Sequence, residues 1–116
     1  MKKKITILGE EVTVTFCMAT ELAYETISGG KPFDISKMNS VRDTYVMNVA
    51  AISSCKDNNL TEDFYEKILN EATADEYMTL TTAVIECMKD FLHITPVGEE
   101  KELQDKQPAE GEGEGN

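Results

Sequence analysis

An α+β fold, with an N-terminal β-hairpin packed on a bundle of about four α-helices and a disordered acidic C-terminal tail, is what this sequence of 116 residues predicts. Three observations point there. Residues 5–16, "ITILGEEVTVTF", alternate apolar with polar, the period of a half-buried strand. The stretches after them repeat apolar residues at three- and four-residue intervals, the period of amphipathic helices. Beyond Pro96 the composition changes to "GEEKELQDKQPAEGEGEGN", in which Leu103 is the one large apolar residue. Residues 1–97 read as a single domain, long enough to bury a core without disulfides or metal.

The hairpin is predicted over residues 4–16. Ile5 and Ile7 share a face with Val12, Val14 and Phe16, and Thr6, Thr13 and Thr15 face water. Gly9-Glu10 suits a two-residue type II′ turn, which requires glycine first. Two strands alone are marginal, so the apolar face must lie on helices. The first helix, about 19–28, lines up Ala19, Leu22, Ala23 and Ile27. Gly29 or Gly30 supplies its left-handed end, and Pro32 forbids continuation. The "SGGKP" that follows is not a phosphate loop. Such a loop needs GxxxxGK followed by Ser or Thr, whereas Glu25 stands in place of its first glycine and Pro32 in place of its hydroxyl. The helix also precedes the glycines, whereas an anion site needs a helix to follow them. Phe33 and Ile35 are expected to tuck this corner onto the core.

Ser40 and Asp43 form a predicted capping box for a second helix, about 40–55. Its stripe is Val41, Tyr45, Val49, Ile52 and Cys55. Val46 and Ala50 make the other side apolar too, so it is expected to be surrounded by other elements or by a second subunit. Asn48, within the main stripe, reads either as a hydrogen-bonded packing residue or as a register-fixing contact in an oligomer. "KDNN" is a loop, and Thr61 is the N-cap of a third helix, about 61–70, bearing Phe64, Tyr65, Ile68 and Leu69. The Asp57, Asn59, Thr61 spacing imitates a calcium loop. It fails where Glu62 replaces the sixth-position glycine and Ile68 the twelfth-position glutamate. Thr73 and Glu76 box the start of a fourth helix, about 74–92, with Tyr77, Leu80, Val84, Met88 and Phe91 inward. Pro96 ends the fold. The tail, 98–116, buries too little apolar surface to offset its ordering entropy.

Composition narrows the chemistry. The net charge is −11, from 22 acids and 11 bases. The three lysines at positions 2–4 are the only basic cluster, so nucleic-acid binding is not expected. No apolar run is long enough to span a membrane and no signal-peptide pattern opens the chain, so a cytoplasmic protein is expected. Cys17, Cys55 and Cys87 are odd in number and form no CxxC pair, and His93 alone cannot complete a zinc set. They read as small apolar core thiols. Acid pairs such as Asp75 with Glu76, or Glu62 with Asp63, fall in first helical turns, where the helix dipole accounts for them. No cofactor, no metal and no catalysis are expected.

The order of parts resembles a known family. A Lys-rich hairpin, "KKKITILGEEVTVTF", leads into a helix ended by "ISGGKPFDI", then an apolar helix and the acid-led "NLTEDFYEKIL". This is similar to the tail assembly chaperones of long-tailed bacteriophages and prophages. In those a hairpin of the type I-T-I-x-G-x-x-V-T-V-x-F precedes a helix ending near TGK-P-F. Gly29, Gly30, Lys31, Pro32 and Phe33 match that ending, with one extra glycine. The resemblance covers roughly residues 2–92. It implies a non-catalytic protein of the host cytoplasm that coats the tape-measure protein before the tail tube forms, self-associates, and is absent from the mature virion. It also implies that a longer, frameshifted product can exist. Val46 and Ala50 are the residues expected to be left over for self-association. Two other readings stand beside this one: an acidic inhibitor or DNA mimic from a mobile element, and a small cytosolic adaptor.

Overall fold

The computed structural model describes residues 1–93; the tail predicted at 98–116 and the end marked by Pro96 lie outside the described residues. Strands β1 (Lys2–Ile7) and β2 (Glu10–Thr15) form the antiparallel hairpin, followed by helices α1 (Met18–Ile27), α2 (Val41–Ser53), α3 (Glu62–Glu71) and α4 (Ala74–Leu92). A single 3-10 turn over Ile35–Lys37 lies between α1 and α2. The α+β class and the four helices are as the periodicity predicts.

The hairpin turn is not. Ile7 pairs with Glu10 and Ile5 with Val12, so the two loop residues are Leu8 and Gly9. Both have positive φ, 54° and 79°, the signature of a type I′ turn rather than a type II′ turn on Gly9-Glu10. Leucine is costly in that region. A carboxylate holds it there: the Leu8 amide donates to Glu76 Oε2 at 2.9 Å. Glu76 also accepts the Thr73 amide at 3.0 Å, while the Thr73 hydroxyl accepts the Glu76 amide, completing the predicted capping box. One side chain thus caps α4 and sets the turn 68 residues earlier.

Strand β2 is buried on both faces. Val12 and Val14 point into the core, as expected, but Thr13 and Thr15 are buried as well instead of facing water. The reason is the loop after α2. Asn58 lies along the outer edge of β2, accepting from the Thr13 amide at 2.8 Å and donating to the Thr13 carbonyl at 2.7 Å. It donates also to the Ile52 carbonyl at 2.9 Å, joining the edge to the end of α2. Further along, Thr15 O accepts the Thr20 hydroxyl and Thr15 Oγ1 donates to the Met1 carbonyl. An exposed strand edge invites pairing with another chain, and here an amide side chain takes the place of that partner.

α2 runs through the centre, against α1, α4 and β2. Everything from Val46 to Ile52 is buried. This corrects the expectation for Val46 and Ala50. At 5% and 0% exposure they lie in the monomer's own core, since α1, α4 and β2 cover the sides that looked superfluous in the sequence. Neither is available to a second copy. Asn48 is buried too and donates to Thr81 Oγ1 at 3.0 Å, a contact within the chain; its Oδ1 has no partner. Ser40 caps the helix as predicted, accepting the Asp43 amide at 3.1 Å. The box is not reciprocated, because the Asp43 carboxylate turns instead to Lys31, 3.0 Å away.

α3 docks through Phe64 and Ile68, with Leu69 left 54% exposed. Thr61 is its N-cap residue without a side-chain cap bond. α4 contributes Leu80, Ala83, Val84, Cys87 and Met88. Full burial of one such aliphatic side chain is worth about 1.5–3 kcal/mol, which is what orders the short elements around α2.

Candidate functional site

The sequence places Ala19, Leu22, Ala23 and Ile27 on the buried face of α1. The structure turns the helix by roughly a quarter turn from that, at 100° per residue. Thr20 and Tyr24 are the buried pair. Thr20 is a polar residue with its bonds supplied: its hydroxyl meets Ser54 Oγ at 2.7 Å and accepts the Cys17 amide at 3.1 Å. Tyr24 meets Phe33 edge-on, ring centroids 5.3 Å apart. Met18 and Leu22 are left outward at 68% and 64% exposure.

The corner after α1 builds the opposite wall. The Gly30 amide reaches back to the Glu25 carbonyl at 2.7 Å, with φ of 83° at Gly29 and 105° at Gly30. Side chains at both positions would be strained, so the two glycines are what this chain reversal requires. The Lys31–Asp43 ion pair fastens the corner to the first turn of α2. Phe33 then folds inward beside Phe16, 5.1 Å between centroids, and Phe16 meets Phe91 at 5.7 Å. Phe33 tucks in as expected. Ile35 does not: it stays 42% exposed, because the 3-10 turn at Ile35–Lys37 carries it off the core.

Between these walls lies a groove of about 240 Å³ lined by Met18, Glu21, Leu22, Glu25, Pro32 and Phe33. Its apolar atoms come from Met18, Leu22, Pro32 and Phe33. Glu21 and Glu25 border it one helical turn apart, and no cation pairs with either among the described residues. Other depressions differ from it in having an ion pair across them or in being smaller. The one between β1 and α4, about 360 Å³, has Ile5, Met78 and Ala83 among Lys3, Lys4, Thr79, Thr82 and Glu86, with the Lys3–Glu86 ion pair across it. The one among α2, α3 and α4, near Val41, Leu69 and Tyr77, holds about 160 Å³.

The chemical candidates do not converge. Cys55 and Cys87 are buried, and burial pushes the Cys87 thiol up from its ordinary value. Cys17 is partly exposed at the N-cap of α1. Desolvation pushes its thiol up, but hydrogen bonding with Thr20 and the Ala19 amide outweighs this and leaves it lowered. No base is hydrogen-bonded to it, and His93 is the left-handed residue that closes α4. Asp57 of the calcium-like spacing is ion-paired with Lys2 at 2.9 Å. Of the acid pairs, Glu76 is committed to its cap and to Leu8, which hold its carboxyl below the usual range, while Asp75, Glu62 and Asp63 are exposed. Among the described residues no three His, Cys, Asp or Glu side chains cluster as a metal site would need. No helix among them is long and apolar enough to cross a membrane.

The groove's residues were readable only in part. Met18 and Leu22, like Glu21 and Glu25, are four apart, so an apolar pair beside a carboxylate pair is visible on the helical wheel. What the wheel cannot show is that this face, rather than the Thr20–Tyr24 face, is the free one. Comparison of the chain with family models, with curated proteins and with solved structures finds no match.

Proposed function

We propose that the chain is a non-catalytic tail assembly chaperone that binds the tape-measure protein in the host cytoplasm while a phage tail is being built. The observation that supports this is the α1 groove, in which two exposed apolar side chains one helical turn apart, Met18 and Leu22, face a Pro-Phe wall. A tape-measure chain is a long array of amphipathic helices, and a groove of this kind suits an apolar helix face. Covering such faces keeps the client from aggregating through them. A net charge of −11 favours solubility of a client coated by many copies.

The test is co-expression with a phage tape-measure protein, a very long helical chain. The expected result is a client that is insoluble alone, soluble with this chain, and still bound in about 1 M salt, where exposed charges are screened beyond about 3 Å. A complex that dissolves with salt favours the acidic inhibitor reading instead. A client that is soluble alone and forms no complex overturns the chaperone reading.

A further inference from the structure

We infer that the α1 groove takes an amphipathic helix whose apolar stripe is bordered by lysine or arginine, a partner class that deepens the docking role proposed above and rests on it. On the wheel of α1, Glu21, Glu25, Met18 and Leu22 occupy adjoining positions, so the carboxylates flank the apolar pair on one side. α1 carries no basic residue. The nearest cation that the corner supplies, Lys31, is taken by Asp43. Among the described residues the two glutamates are therefore uncompensated, and an incoming cation is what completes them. Apolar spacing of one turn on α1 matches apolar spacing of one turn on a facing helix. Met18 adds an adaptable thioether that can fit more than one client segment. An extended segment is disfavoured, because a helix surface offers no free backbone ladder for it to join. An anionic lipid surface or nucleic acid is disfavoured by the same two carboxylates.

The probe is a pair of synthetic helical peptides of about 18 residues with one leucine stripe, bordered by lysine in one peptide and by glutamate in the other. Binding to the full chain is read by fluorescence anisotropy. Two exposed ion pairs give an expected preference of roughly three- to tenfold for the lysine-bordered peptide. The double variant Glu21→Lys/Glu25→Lys is expected to reverse that order. Leu22→Asp is expected to abolish binding of both peptides while leaving the thermal midpoint unchanged. An order of preference that survives the charge reversal, or binding that survives Leu22→Asp, overturns the inference. The two proposals fail separately. A tape-measure client that co-purifies with Leu22→Asp as well as with the native chain leaves the chaperone reading and removes the groove. Peptides that switch preference with the charges, while the tape-measure protein forms no complex, leave the groove and remove the chaperone reading.

Discussion

α1 and α2 lie against each other, and both are rich in apolar residues, yet they are used in opposite ways. α2 is buried from Val46 through Ile52 and presents almost nothing to solvent. α1 buries Thr20 and Tyr24 and turns Met18 and Leu22 out. Hydrophobicity alone therefore does not say which face of a helix is core. Thr20 is inside because Ser54 and the Thr15 carbonyl meet its hydroxyl, and Tyr24 because Phe33 closes over its ring. A buried polar group with partners costs little, and the apolar face it displaces becomes surface. α2 is the helix that holds the domain together, and α1 is the helix with a face to spare.

The largest expected effect tests that division directly. Ile52→Ala, at a fully buried position, is expected to destabilise the protein by about 2–5 kcal/mol in urea unfolding. Leu22→Ala and Met18→Ala are expected to stay within about 0.5 kcal/mol of the native chain. If Leu22→Ala costs as much as Ile52→Ala, the outer face of α1 is packed against something and the groove is not free.

How far the sequence foretold these regions follows from how local the causes are. The fourth helix and its Thr73–Glu76 box were legible because cap and stripe lie within one segment. The burial of α2 on all sides was legible from its apolar circumference, but not what covers it. Val46 and Ala50 therefore looked like spare surface, whereas α1, α4 and β2 already occupy it. Three things were decided from far away and left no local mark. The hairpin turn sits on Leu8-Gly9 because a carboxylate 68 residues later binds the Leu8 amide. Thr13 is buried because Asn58 imitates a strand beside it. The rotation of α1 depends on Ser54 and Phe33, neither of which belongs to the helix.

A middle-sized effect separates the end of α2 from the edge of the sheet. Asn58 makes three hydrogen bonds, two to Thr13 and one to Ile52. At about 0.5–1.5 kcal/mol each, Asn58→Ala is expected to cost roughly 2–3 kcal/mol. Hydrogen exchange gives the sharper readout. The Thr13 amide is expected to exchange faster in the variant, whereas the amides in the middle of α2 change only as global stability does. Unchanged exchange at Thr13 would mean that the strand edge is protected by something other than this amide.

The smallest effect concerns the one ion pair that ties the two regions together, Lys31 at the corner after α1 and Asp43 in the first turn of α2. The hydrogen bond from Lys31 holds the Asp43 carboxyl below the usual aspartate value against the opposing effect of desolvation, with Ser40 adding to it. A folded value lower than the unfolded one means that the unfolded chain binds more protons in the acid range, so stability rises with pH there. The contribution of Asp43 is complete above the ordinary aspartate value of about 3.9 and is lost as pH falls through the lowered folded value. Asp43→Asn is accordingly expected to lower the thermal midpoint slightly at pH 7 and to flatten the acid limb, so that variant and native curves converge as the carboxylate is protonated. Parallel curves from neutral to acid pH would show that the pair contributes nothing to holding the corner. The Pro32–Phe33 wall of the groove would then depend on the aromatic cluster of Phe16, Tyr24 and Phe33 alone, and substitutions at Phe16 would be the ones that open it.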